Sequence, residues 1–219
     1  MSEPNARPRD PERSRQAILD AAEALFAERG YRPTSLAEIG ERAQVSRGTP
    51  GYFFGPKDAL YRAVLDRCFA DALDAVRVGR LRAERSGSAP AETLAGAVAD
   101  YVDFAAAHPN FIRLMHREAL GDGPDPVPSA SGLAVGAEAV AALAHELGLS
   151  NESTALAQDL TLSLLSLTWF PVLHQQTTVA SVGLDPEHPG FLERRKQHIA
   201  TLLRAALPAT LAPAHETAQ

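Results

Sequence analysis

The side chains best suited to chemistry gather in one short stretch. Between residues 35 and 57 stand Ser35, Ser46, Arg47, Gly48, Thr49, Tyr52, Phe53 and Lys57: hydroxyls, a guanidinium, an ammonium, aromatics and a residue with no side chain. Such a set suits a grip on double-stranded DNA. Lys and Arg neutralise phosphates, an Arg fork pairs bidentately with guanine, a threonine methyl touches thymine, and a glycine lets backbone come close. Catalytic sets are missing from the sequence. The seven histidines include no His-Glu-x-x-His pair, the single cysteine, Cys68, falls inside a helical pattern, and neither a glycine-rich phosphate loop nor a nucleophile elbow occurs. The expectation is a protein that is not an enzyme, with no catalytic residue, no metal site and no cofactor.

A grip of this kind works only if helices hold it. Ser35-Leu36-Ala37-Glu38 has the form of a capping box, so a short helix is expected from Leu36 to about Ala43. Gln44 and Val45 form the turn, and Ser46 is placed to cap a third helix over Arg47 to Phe54. With Ile39, Ala43 and Val45 facing inward, the two short helices make a helix-turn-helix. Before them, Pro11 to Arg29 reads as a first helix with Ile18, Ala21, Ala22, Leu25 and Phe26 on one face and Gly30 as its stop. After them, Gly55-Pro56 ends the third helix, and a long fourth begins at Pro56 and reaches Arg85.

Beyond Ser86-Gly87-Ser88-Ala89-Pro90 the apolar residues again recur at three and four, with no sustained alternation of period two. A fifth helix ends at His108-Pro109, a short sixth spans Asn110 to Leu120, and a seventh carries Leu133 to Leu147. In the eighth, from Glu152 to about Leu173, leucines point in every direction, which implies burial on all sides. A last helix covers about Pro189 to Leu207. Tyr101, Phe104, Arg113, Met115, His116, Trp169 and His174 are the candidates for lining a small-molecule pocket among these helices, and the pocket is expected to be largely apolar.

The net charge of −6 excludes indiscriminate coating of nucleic acid, but its distribution is uneven. Residues 1 to 62 hold 10 Lys/Arg against 9 Asp/Glu, whereas residues 63 to 219 hold 11 against 18. The acidity therefore lies outside the candidate DNA-binding stretch. A lone cysteine forms no intrachain disulfide, the first residues carry no apolar core of a signal peptide, and the run Thr161 to Leu173 is short of the ~20 residues that span a bilayer. A cytoplasmic protein without a membrane segment is expected.

The text Thr34-Ser35-Leu36-Ala37-Glu38-Ile39-Gly40-Glu41-Arg42-Ala43-Gln44-Val45-Ser46-Arg47-Gly48-Thr49, followed by Tyr52-Phe53-Phe54 and Lys57-Asp58-Ala59-Leu60, closely resembles the DNA-binding domain of the tetracycline-repressor (TetR) family. The resemblance covers about Arg13 to Val64, and His108-Pro109-Asn110-Phe111 looks like the opening of the family's sixth helix. It implies an all-α fold of about nine helices. A three-helix helix-turn-helix domain would occupy residues 11–62 after an arm, 1–10. The long fourth helix would join it to an effector-binding and dimerisation domain, 63–207, followed by a tail, 208–219. The implied function is a ligand-responsive transcriptional repressor that binds a palindromic operator as a homodimer and leaves it when a small, largely apolar effector enters.

By resemblance, Ser35 caps the second helix and touches a phosphate, Arg47 and Thr49 read bases, and Lys57 binds a phosphate at the start of the fourth helix. Phe54 matches a buried aromatic. Most relatives have an apolar residue and a tyrosine where this chain has Pro50-Gly51. Tyr52 is then the candidate replacement for the missing phosphate-gripping tyrosine. Because proline removes a donor and glycine costs a helix about 1 kcal/mol relative to alanine, a marginal recognition helix is expected, held by packing of Tyr52, Phe53 and Phe54. The same departure motivates a rival reading, a helical interaction module whose helix-turn-helix is degenerate.

Overall fold

The computed structural model describes residues 10–86, 90–124, 130–149 and 154–211, and every regular element among them is helical. The arm expected before Asp10 and the tail beyond Leu211 lie outside the described residues. The chain forms two compact units, residues 1–68 with 113–129, and residues 69–112 with 130–219. The division falls after Cys68, not after residue 62, and the stretch from Arg113 joins the first unit.

The first unit contains α1 (Pro11–Arg29), α2 (Leu36–Arg42), α3 (Thr49–Phe54), the beginning of α4 (Lys57–Ser86) and the end of α6 (Pro109–Ala119). Asp10 starts α1 by accepting the Glu12 amide at 3.1 Å, beside a proline whose missing donor would have been an orphan there anyway. Gly30 ends it with φ at 93°, a conformation that favours glycine. The apolar face foreseen for α1 is buried, and Ile18, Ala22 and Phe26 are buried in this unit along with Ile39, Leu60, Tyr61 and Val64. Phe26 meets the Tyr61 ring edge-on at 4.9 Å. Each such large side chain contributes roughly 1.5–3 kcal/mol by leaving water.

Two polar devices close this core. Thr34 is buried and donates its hydroxyl to Gly30 O at 2.8 Å. Arg117, at the end of α6, donates from Nε to Ala27 O at 3.1 Å and from Nη2 to Glu28 O at 2.8 Å. A cation thereby satisfies terminal carbonyls of α1, where the helix dipole is negative. Its neighbour Glu118 accepts the Tyr61 hydroxyl at 2.6 Å, and burial pushes that phenol well above its usual range, so it stays a donor.

The second unit holds the rest of α4, α5 (Pro90–Ala107), the start of α6, α7 (Ala130–Glu146), α8 (Thr154–Leu173), a π-helical turn (Gln175–Val179) and α9 (Phe191–Leu211). Leu94, Val98 and Val102 of α5 pack with Leu143 and Leu147 around α7 and with Ile199 and Leu203 of α9. α9 starts two residues later than expected and runs on to Leu211, through Pro208. The π-helical turn was not expected, whereas α8 ends at Leu173, as the sequence indicated, with Pro171 inside it.

α8 departs most from expectation. Only Ala157 and Thr168 are buried along it, while Leu162 and Phe170 keep 63% and 46% of their surface exposed. Burial on all sides is therefore not met within one chain. Its 20 residues are long and apolar enough to cross a membrane by length and composition, because the helix begins at Thr154, ahead of the apolar run read from the sequence.

Candidate nucleic-acid interface and ligand cavity

The capping box at α2 forms as the sequence required. Glu38 N donates to Ser35 Oγ at 3.2 Å, while the Ser35 amide and hydroxyl donate to Glu38 Oε2 at 2.8 and 2.7 Å. The two bonds from Ser35 hold the Glu38 carboxyl below the usual carboxylate range. The Ser35 hydroxyl would have to turn from Glu38 to donate to a phosphate.

α2 ends in a Schellman turn. Gln44 N donates to Glu41 O at 3.0 Å and Val45 N to Gly40 O at 2.9 Å, with Gln44 left-handed at φ 56°. A residue other than glycine in that position is strained by roughly 1–2 kcal/mol. Gly40 is where the turn folds back on its helix. A Cβ there would lie 2.9 Å from Ser46 O, 3.2 Å from Arg47 Cα and 3.4 Å from Pro50 Cδ.

The third helix is shorter than expected. It begins at Thr49, with Gly48 as its N-cap and no side-chain cap, so Arg47 stands in the turn before it and Ser46 is not the capping residue. Ser46 instead shares a 2.6 Å hydrogen bond with the Thr49 hydroxyl and accepts the Thr49 amide on its carbonyl at 2.9 Å. Pro50 is the second helical residue, fully buried, at a position whose N–H has no intrahelical partner in any case. The expected loss of a helix bond does not arise.

Around this buried proline the exposed residues are Ser46, Arg47, Gly48 and Tyr52, with Thr49 and Phe53 half-buried. Tyr52 is 85% exposed and meets only the edge of Phe53, at 5.4 Å, so it does not anchor α3 by packing as expected. Phe54 is half-buried, with the Arg15 guanidinium 4.4 Å above its ring. Lys57 opens α4, but its ammonium donates to Tyr31 O at 3.0 Å and Arg32 O at 3.3 Å and lies 4.3 Å over the Tyr31 ring. What α4 offers a phosphate directly is its first backbone amides.

The second unit holds a partly open cavity of about 240 Å³ lined from α4, α5, α6, α7 and α8. Of the seven pocket candidates, Tyr101 and Trp169 line it together, and the Trp169 indole donates to the Tyr101 hydroxyl at 3.1 Å. Phe104 lies behind them, stacked on Tyr101 and on His108. His174 lies against the Phe170 ring, tilted by 33° at 4.3 Å, and is not part of the lining. Arg113, Met115 and His116 belong to the first unit. Most of the wall was not foreseen from the sequence: Phe69, Val76, Val98, Phe111, Val135, Leu143 and Leu164, with Thr161, Thr168 and Glu146. Only the helical period of these residues was visible, and it is the same for a cavity wall as for a filled core.

A helix-turn-helix in one helical unit and an apolar cavity in another define a class of two-module helical regulators. The chain belongs to the TetR family: the N-terminal profile of bacterial regulatory proteins of that family matches residues 18–64, and a tetracycline repressor-like C-terminal domain matches residues 90–203. The HTH-type transcriptional repressor Rv3405c of Mycobacterium tuberculosis is 52% identical over 50 residues, 23% of this chain and 27% of that protein. The repressor NicS of Pseudomonas putida is 29% identical over 132 residues, 60% of each. The chain thus spans between about a quarter and three-fifths of these relatives' length. In fold it is similar to a TetR-like transcriptional regulator from Rhodococcus sp. RHA1, with TM-score 0.63, 20% identity and coverage of 94% and 99% of the two chains. It is also similar to the fatty acid degradation regulator FadR of Bacillus halodurans, with TM-score 0.61, 17% identity and coverage of 88% and 98%.

Proposed function

We propose that this protein is a DNA-binding transcriptional repressor that grips a palindromic operator as a homodimer and is released by a small apolar effector. The observation that carries the reading is the exposed set Ser46, Arg47, Gly48 and Tyr52, held over a buried Pro50 in a helix-turn-helix of the TetR family. Arg47 and Thr49 read base edges, Tyr52 and the first amides of α4 hold phosphates, and Ser35, Phe53 and Lys57 complete the interface. One such module makes too few base contacts for a selective site, which is why the reading requires two. A regulator of chromosomal genes works in the cytoplasm.

The outer face of α8 supports the dimer. Leu162 and Phe170 are exposed there, and the hydroxyls of Ser163 and Ser166 donate to Asp159 O and Leu162 O at 2.8 and 2.9 Å. Hydroxyls satisfied within their own helix accept burial against a second helix at little cost. The cavity of the second unit is the effector site, and α4 and α6 each contribute residues to both units.

Selection from a random DNA pool tests the function. The expected product is one palindrome, bound by two chains, with affinity falling steeply as salt rises. Enrichment of no sequence overturns the reading.

A further inference from the structure

Building on the effector role proposed above, we infer that the cavity takes an uncharged, largely apolar molecule bearing one hydrogen-bond acceptor, such as a ketone, ester or lactone, and rejects carboxylates and phosphates. The size sets the scale, since a cavity of ~150 Å³ already holds benzene and this one, at about 240 Å³, has room for a larger molecule. Its charge excludes anions. Among the described residues that line it there is no Lys, Arg or His, and their single ionisable acid or base apart from Tyr101 is Glu146. An anion brought here loses its water, finds no cation to pair with and meets a carboxylate.

The acceptor follows from an inventory of polar groups. Thr161 gives its proton to Ala157 O at 2.7 Å, and Thr168 gives its own to Leu164 O at 2.8 Å. Thr93 and Glu146 have partners of their own. Tyr101 is different. Its oxygen accepts the Trp169 indole, yet its own proton finds no acceptor among the described residues. Burial pushes the phenol up to about 12, so the proton stays on. Trp169 occupies one lone pair of that oxygen and helps to orient the hydroxyl, leaving one donor at an apolar wall. A buried donor without a partner is costly, and a ligand oxygen removes that cost.

Three molecules of nearly equal shape decide the matter: benzylacetone, its hydrocarbon analogue butylbenzene, and hydrocinnamate, in which a carboxylate oxygen replaces the ketone methyl. They are titrated into the full-length protein at neutral pH, read by the fluorescence of Trp169, the single tryptophan, and by calorimetry. Benzylacetone is expected to bind at least a hundredfold more tightly than hydrocinnamate. Tyr101→Phe is expected to weaken benzylacetone about tenfold and to leave butylbenzene unchanged. Hydrocinnamate within tenfold of the ketone overturns the proposal, as does equal loss of ketone and hydrocarbon in Tyr101→Phe, or failure of all three to bind. The comparison in the unsubstituted protein stands even if the variant does not fold. Repeating the titration on the operator complex separates the two readings: benzylacetone that binds without releasing DNA refutes the effector role and leaves the ligand class intact.

Discussion

Gly40→Ala, set against Gly51→Ala, tests the packing of the helix-turn-helix with two substitutions expected to act in opposite directions. Both glycines lie inside helices, so each alanine gains about 0.5–1 kcal/mol of helix propensity. At Gly51 the nearest neighbour of a new Cβ is Leu36 Cδ1 at 3.8 Å, an ordinary contact, and the gain is kept. At Gly40 the Cβ meets Ser46 O at 2.9 Å and Arg47 Cα at 3.2 Å. Both are backbone atoms of the turn, which no side-chain rotation can move away. Overpacking of this kind costs typically 1–3 kcal/mol, so Gly40→Ala is expected to destabilise the protein by about 1–2 kcal/mol net, and Gly51→Ala to stabilise it by up to about 1. Urea unfolding followed by circular dichroism measures both. The Gly40 variant should also lose operator affinity beyond its loss of stability, because the strained turn carries Arg47. Shifts of the same sign for the two variants would refute the packing argument.

The remaining expectations concern single side chains. Arg47→Ala should relax base preference at one position per half-site and cost ~1–3 kcal/mol there; a uniform loss over all sequences would mean that it touches phosphate alone. Arg117→Ala removes two charge-assisted bonds to the end of α1 and should lower unfolding stability by ~1.5–3 kcal/mol, with Arg117→Lys restoring less than half because it lacks the fork; an unchanged urea midpoint rules this cap out as a stabiliser. Glu38 is lowered from 4.5 by its bonds to Ser35, so its contribution is full above that value and is lost as the pH falls through it and below. Glu38→Gln should then lower stability at neutral pH and flatten the acid limb of the pH–stability curve, whereas a parallel curve would contradict the capping role. Leu162→Lys should convert a dimer to a monomer in sedimentation at micromolar concentration, and a dimer that survives it is not built on the outer face of α8.

Features set by neighbours in the chain were legible before the structure. Ser35 and Glu38 lie three apart and can satisfy each other only in a capping box; Gly30 after nineteen helical residues reads as a stop; Pro109 ends α5 by restricting the residue before it. What depended on distant neighbours was not legible. Arg117 reaches α1 across 90 residues, and no periodicity announces it. Tyr101 and Trp169 are 68 apart, and aromatics at helical spacing do not reveal which of them share a hydrogen bond at a cavity wall. The start of α3 was misjudged for a local reason with a distant cause. Ser46 is a good cap by type, but the close approach at Gly40 fixes the turn so that the helix begins two residues later, at Thr49, and Ser46 spends its hydroxyl on Thr49.

That close approach also bears on Pro50-Gly51, the departure that made a degenerate module worth weighing. A decayed recognition helix should show a proline where a donor was needed and a void where a side chain was lost. Neither is found. Pro50 occupies the second position of α3, where no intrahelical partner for an amide exists, and its ring is fully buried beside Gly40. Gly51 faces Leu36 at ordinary distance, and the outward residue of the next position is Tyr52. A phosphate-gripping phenol displaced by one residue along a helix turns by about 100° and rises by about 1.5 Å. An aromatic side chain with its hydroxyl in solvent spans part of that shift, and the rest falls on where the helix sits in the groove. The packing of the recognition helix is intact on this geometry, and under the proposed function the Pro50-Gly51 departure is expected to alter operator choice while DNA binding is kept.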